Sequence, residues 1–235
     1  MADSLNLNGK IALRRAISTS AFTMIALVVV IGLFSLFSIW SINRAWTAGT
    51  SETAELQDLS RVGLYSQVNF KVQIQEWKNV LLRGDESALL DKHLNSFRVH
   101  AQRSQEELGK VAAGATKLGL KDEAEQAAAL SSKLQIMTSR YEAALAEERG
   151  MSITLTPEMA SLIDKSVRGA DRDLEAGIGK LSGAIATISD TRRNILLTQM
   201  QDRYASLRLF ILGVIGLSLV ITVYVLISAL RATRG

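Results

Sequence analysis

Several residue types that mark particular classes of protein are missing or rare in this chain. Its 235 residues include no cysteine, one proline, 6 phenylalanines, 4 tyrosines and 3 tryptophans. The lack of cysteine excludes disulfides, thiolate metal sites, cysteine nucleophiles and covalently attached c-type haem. Because strands favour aromatic and β-branched residues and turns favour proline, this composition predicts an all-α protein.

Motifs for catalysis and cofactor binding are also missing. The chain has no glycine-rich phosphate loop and no H-E-x-x-H sequence, so we predict neither an enzyme nor a bound cofactor. Its two histidines, His93 and His100, lie seven residues apart on one helix face. Without a third ligand they do not predict a metal site. The 27 basic residues are scattered among 23 acidic ones, so nucleic acid is not a predicted partner.

Two long uncharged segments are the strongest signals present. Residues 17–42 and 209–230 contain no charged side chain. A helix needs about 20 apolar residues to cross a bilayer, so each segment predicts a transmembrane helix. The first segment is longer than the roughly 7–15 apolar residues of a signal peptide and no clear cleavage site follows it, which favours an uncleaved anchor.

The charges that flank these segments predict their orientation. Basic residues are more frequent before the first segment and after the second than on the side between them, which places both termini in the cytoplasm. Those outer residues are Lys10, Arg14, Arg15, Arg231 and Arg234, against Arg44, Arg203 and Arg208 on the inner side of the two segments. The predicted organisation is a cytoplasmic N-terminus (1–16), a first transmembrane helix (17–42), an outward domain (43–208), a second transmembrane helix (209–230) and a cytoplasmic end (231–235).

The outward domain has the apolar periodicity of packed helices. Four stretches repeat apolar residues at alternating intervals of three and four, which predicts an antiparallel four-helix bundle. Gly84 is expected to end the first helix and Asp85 to cap the second. Thr156 is expected to cap the fourth, with Pro157 at its first position. We expect this fourth helix to continue unbroken into the second transmembrane helix.

Two segments within this architecture resemble a known family. "FKVQIQEWKNVLLRG" (70–84) and "SLIDKSVRGADR" (161–172) are similar to blocks found in a subgroup of bacterial methyl-accepting chemotaxis proteins, which are transmembrane chemoreceptors. The resemblance implies an N-terminal sensor module in the bacterial inner membrane. It implies a homodimer that detects a small periplasmic ligand, or a periplasmic binding protein, and signals inward for chemotaxis.

The basic residues of these two segments are the candidate binding residues. Lys71 and Lys78 flank the apolar seam of the first helix, and Arg83 and Arg168 each lie about 40 residues from the nearer membrane segment. The resemblance implies that an anionic amino acid or organic acid binds across the dimer interface of the first and fourth helices. The predicted ligand-binding residues are Lys71, Trp77, Lys78, Arg83, Arg168 and Arg172.

Structural roles explain the same residues equally well. Flanking lysines commonly lay their stems over a helix seam, Asp164 and Arg168 form an ordinary i, i+4 pair, and a core-facing Trp77 can serve packing alone.

Other functions also remain open at this point. The chain stops at "RATRG" without a relay or signalling domain, so it is expected to be part of a larger receptor or to signal through a partner. One alternative is a membrane-anchored helical scaffold without a small ligand. Another is the input domain of a histidine kinase or cyclase.

Overall fold

The chain folds almost entirely into α-helix. The computed structural model describes the backbone of residues 2–234, and the side chains of residues 17–19 and 21–225 with those of 14, 227, 228 and 231. Within residues 2–234 there are five helices and no strand, so the all-α prediction is confirmed. The helices are α1 (Ala2–Arg83), α2 (Ser87–Lys117), α3 (Lys121–Arg149), α4 (Pro157–Val167) and α5 (Arg172–Arg234).

The chain divides into two compact units. One comprises Met1–Gly49 with Asn194–Gly235, and the other comprises Thr50–Arg193. In the first unit, α1 and α5 contain the two apolar stretches, and both helices are long and apolar enough to cross a membrane by length and composition. Phe34 of α1 and Phe210 of α5 are in ring contact, with centroids 3.9 Å apart. The side chains of Lys10, Arg15 and Arg234, which entered the orientation prediction, lie outside the described residues.

The helices of the second unit run antiparallel where they pair. Along α1, Ser66, Asn69 and Glu76 bond in turn to Ser104, His100 and His93 of α2, so residue numbers rise in one helix as they fall in the other. Glu52 and Lys71 of α1 pair in the same reversed order with Arg192 and Glu175 of α5.

One apolar core connects the helices of the second unit. The seams that the spacing predicts for the second and third helices are buried at every position, because side chains at spacings of three and four share one helix face. These seams are Leu90, Leu94, Phe97, Ala101, Ser104, Leu108 and Val111 on α2, and Ala127, Leu130, Leu134, Met137, Tyr141 and Leu145 on α3. Phe97 is fully buried, and its ring lies 5.3 Å from that of Trp77, measured between centroids. The largest buried side chains of this core include Phe70, Phe97, Leu90, Leu108, Leu134, Ile163, Ile178, Leu181 and Ile185.

Two helix boundaries differ from the sequence prediction. The N-cap of α2 is Glu86, not Asp85, and its side chain makes no capping hydrogen bond. The predicted fourth helix is interrupted after Val167 and resumes at Arg172 as α5. Gly169 has φ +79°, a left-handed conformation that cannot continue a right-handed helix. The prediction of one unbroken fourth helix is therefore wrong between residues 168 and 171, although α5 is continuous from Arg172 onward.

Candidate functional site

A surface cleft lies between the end of α1 and the short helix α4. Its volume is about 560 Å³, which falls within the range of small-molecule pockets. The cleft, which we call the α1–α4 cleft, is lined by Lys78, Leu81, Leu82, Asp85, Leu155, Thr156, Pro157, Ala160, Ser161 and Asp164.

Local structure at the start of α4 fixes one end of this cleft. The backbone N–H of Leu155 donates to the carbonyl of Gly84 over 2.7 Å, which ties the loop before α4 to the turn after α1. Thr156 caps α4 by accepting from the N–H of Met159, with Pro157 in the first turn, as the sequence predicted. From this hydrogen bond, α1 and α4 extend in the same direction as the two walls of the cleft. The cleft therefore has one end at the hydrogen bond, which we call the tied end, and an opposite open end.

The first turn of α4 is already supplied with an anionic partner. The carboxylate of Glu158 accepts hydrogen bonds from its own backbone N–H and from the Thr156 hydroxyl, and these bonds lower the pKa of Glu158. A carboxylate in the first turn of a helix also interacts favourably with the helix dipole.

The open end of the cleft is richer in positive charge. Lys78 lies on α1 and forms no ion pair within the described residues. Asp164 accepts from the guanidinium of Arg168, with Nε 3.1 Å from Oδ2. The Asp164 carboxylate is thus paired with Arg168, and Asp85 is the only charged side chain that lines the tied end.

The other predicted binding residues lie apart from the cleft lining. Lys71 pairs with Glu175 at 3.7 Å in an exposed contact. Arg83 is exposed in the last turn of α1, and Arg172 is exposed at the start of α5. Of the six predicted residues, the structure therefore places Lys78 in the cleft and Arg168 beside it.

Trp77 faces the core and does not line the cleft. Only 3% of its surface is exposed, and its ring packs edge-on against Tyr141 with centroids 4.7 Å apart. This supports the packing role weighed for Trp77 from the sequence.

The α4–α5 connection is held by two adjacent residues of α3. Arg140 donates to the carbonyl of Ser166 over 2.5 Å, near the end of α4. Tyr141 hydrogen-bonds with Asp171, just before α5 begins. Burial is the main cause of the raised pKa of Tyr141, and the nearby charge of Asp171 adds to it. The phenol therefore stays neutral and available as a donor to Asp171.

The sequence does not identify several residues of this site. It predicts Asp85 only as a helix cap, and it does not indicate Leu155, Ser161 or Tyr141 as binding or positioning residues. A signal for the cleft was present in the spacing, because Lys78, Leu81, Leu82 and Asp85 are separated as i, i+3, i+4 and i+7. Comparison of the chain with protein-family models, with curated proteins and with solved structures gives no match.

Proposed function

We propose that this chain is the input module of a transmembrane sensor that detects a small extracytoplasmic ligand and signals across the bacterial inner membrane for chemotaxis. The observation that supports it is the α1–α4 cleft. One wall of that cleft, α4, is joined through four residues to α5, and α5 is a single helix up to Arg234 with an apolar stretch long enough to span a bilayer.

The proposal assigns a location to each segment. Residues 17–42 and 209–230 cross the membrane, and both termini are cytoplasmic. Residues 43–208 form an outward antiparallel four-helix bundle of α1, α2, α3 and the pair α4 with α5. The reversed residue pairing of α1 with α2 and with α5 supports this arrangement.

The proposed mechanism is a change in the position of α4. A ligand held between α1 and α4 favours one arrangement of these two walls, and it shifts the equilibrium by its difference in affinity for the two states. The connection at residues 168–171 then carries the change into α5. Arg140 of α3 holds the last turn of α4, and Tyr141 of α3 holds Asp171 in the connection, so a movement of α4 changes its contacts with α3.

Dimerisation forms part of the proposal. Leu64 and Val68 lie one turn apart on α1, and each is about half exposed. A second copy of the chain would cover these side chains.

The test of this function is a signalling fusion. The full chain is joined after its last residue to the relay and signalling domains of a chemoreceptor, and swimming bias is recorded while amino acids and organic acids are added. We expect Ala184→Pro to abolish the response, because a proline within a helix removes a hydrogen bond and costs about 3 kcal/mol or more.

The matched control is Ile185→Ala. Ile185 is fully buried in the same turn of α5, and its truncation costs about 2–5 kcal/mol without breaking the helix. A response that survives Ala184→Pro would refute signalling through α5. A response lost equally in both variants would attribute the effect to stability.

A membrane-anchored scaffold is the second candidate, and exposed apolar side chains favour it. Leu82, Met151 and Ile153 are all more than two thirds exposed, and a partner protein would bury them. Met151 and Ile153 do not line the α1–α4 cleft, so replacing these two with serine would weaken capture of a partner by a scaffold while leaving a small-ligand response intact.

A further inference from the structure

The two walls of the α1–α4 cleft have the same residue spacing. On α1 and the turn after it, the lining residues follow i, i+3, i+4 and i+7 from Lys78 to Asp85. On α4 they follow the same spacing from Pro157 to Asp164. The α4 residues thus form a single stripe about two helical turns long, and Lys78, Leu81 and Leu82 form a stripe on α1 that ends at the turn with Asp85.

The chemistry of the lining changes along the cleft. At the tied end Asp85 is the charged group, and the carbonyl end of the α1 helix dipole adds negative potential there. At the open end Lys78 and Asp164 line the cleft, and Asp164 is already paired with Arg168, which leaves Lys78 as the charged lining residue without an ion pair among the described residues. Between them the lining is apolar, with Leu81, Leu82, Leu155 and Ala160.

We propose that the α1–α4 cleft binds a linear ω-amino carboxylate, with its ammonium group at Asp85, its carboxylate at Lys78 and its methylene chain on the leucines. This inference rests on the proposed function, because it names the ligand class of the same cleft. The capped first turn of α4 leaves Lys78 as the carboxylate's partner among the residues that line the cleft.

The separation of the two charged residues sets the length of the ligand. Lys78 lies five residues, about 7.5 Å of helical rise, before the end of α1 at Arg83, and Asp85 lies in the turn beyond that end. In an α-amino acid one carbon separates the ammonium group from the carboxylate, which is too short, whereas a chain of several methylene groups reaches both ends.

The ligand series for the test varies one feature at a time. The full chain in lipid nanodiscs is titrated by calorimetry with δ-aminovalerate, with its constitutional isomer norvaline, with valerate and with pentylamine. Norvaline has the same atoms and charges but a short charge separation. Valerate lacks the ammonium group and pentylamine lacks the carboxylate. We expect δ-aminovalerate to bind at least about tenfold more tightly than each of the others.

The variants identify the site. Asp85→Asn and Lys78→Gln should each weaken δ-aminovalerate binding about tenfold or more. Asp91→Asn and Lys92→Gln are matched controls, since they remove the same charges from exposed positions outside the cleft, and binding should be unchanged. Thermal unfolding of each variant checks that the fold is retained.

Three results would overturn the inference. Norvaline binding as tightly as δ-aminovalerate would remove the requirement for charge separation. Unchanged δ-aminovalerate affinity in Asp85→Asn and Lys78→Gln would place the compound elsewhere. No binding of δ-aminovalerate at about 1 mM would exclude the ligand class at a useful affinity.

The same data separate this inference from the sensor proposal. If norvaline binds and Lys78→Gln abolishes its binding, the ω-amino carboxylate is wrong while the cleft remains a ligand site. The sensor proposal itself fails only in the signalling fusion, whose ligand set is not restricted to these four compounds.

Discussion

The break between α4 and α5 can be tested with one substitution, because the sign of its effect on stability differs between a broken helix and a continuous one. Gly169 has φ +79°, and a residue with a Cβ pays about 1–2 kcal/mol in that left-handed conformation. A Cβ at residue 169 would meet only the Arg172 side chain, at 3.8 Å, which is ordinary contact. The cost of Gly169→Ala is therefore the backbone term alone. In a continuous helix the same substitution would stabilise the protein by about 0.5–1 kcal/mol.

Thermal unfolding followed by circular dichroism measures this difference. For a chain of this size, 1 kcal/mol corresponds to about 2–4 °C in Tm. Gly169→Ala should therefore lower Tm by roughly 2–8 °C. Gly183→Ala is the control, because Gly183 is an exposed helical residue with no atom near its missing Cβ. We expect this control to raise Tm by about 1–4 °C. A rise in Tm for Gly169→Ala would refute the break and restore a single fourth helix.

Three further predictions concern the core, the connection and the cleft. In a denaturant titration, Phe97→Ala should lower the free energy of unfolding by about 3–5 kcal/mol, and the exposed Leu82→Ala by less than about 0.5 kcal/mol. Equal losses in the two variants would contradict the assigned core. The raised pKa of Tyr141 stabilises the fold below about pH 10. This stabilisation is lost as the pH rises further, because the phenol ionises at a lower pH in the unfolded chain. Tyr141→Phe should therefore flatten the decline in stability measured above that pH. Thr156→Ala should cost about 0.5–2 kcal/mol, and an unchanged Tm would argue against the cap.

The buried seams of α2 and α3 show how much of the core the sequence pattern predicts. Every position assigned to the seams of the second and third helices is buried, from Leu90 to Val111 and from Ala127 to Leu145. Local periodicity predicts these faces, because a helix that exposes a regular apolar stripe must cover it. The cap at Thr156 and the helix end at Gly150 follow from local chemistry in the same way.

The break at residues 168–171 shows where local pattern stops being informative. Ala170 continues the apolar spacing, so periodicity alone joins α4 to α5. In the structure, Arg140 satisfies the Ser166 carbonyl and Tyr141 bonds Asp171. These partners come from α3, about 30 residues away in sequence; Arg140 compensates a backbone carbonyl that a broken helix leaves unpaired, and Tyr141 holds the Asp171 side chain.

By itself, the sequence determined the helical class, the two apolar stretches, and which faces of α2 and α3 are buried, since each depends on the order of apolar and polar residues within one helix. Tertiary structure decided that Lys78 shares a cleft with Asp85 and Asp164, that Lys71 instead meets Glu175, and that Trp77 packs in the core. The alignment of one helix against another sets such pairings, and that alignment arises from packing many side chains at once.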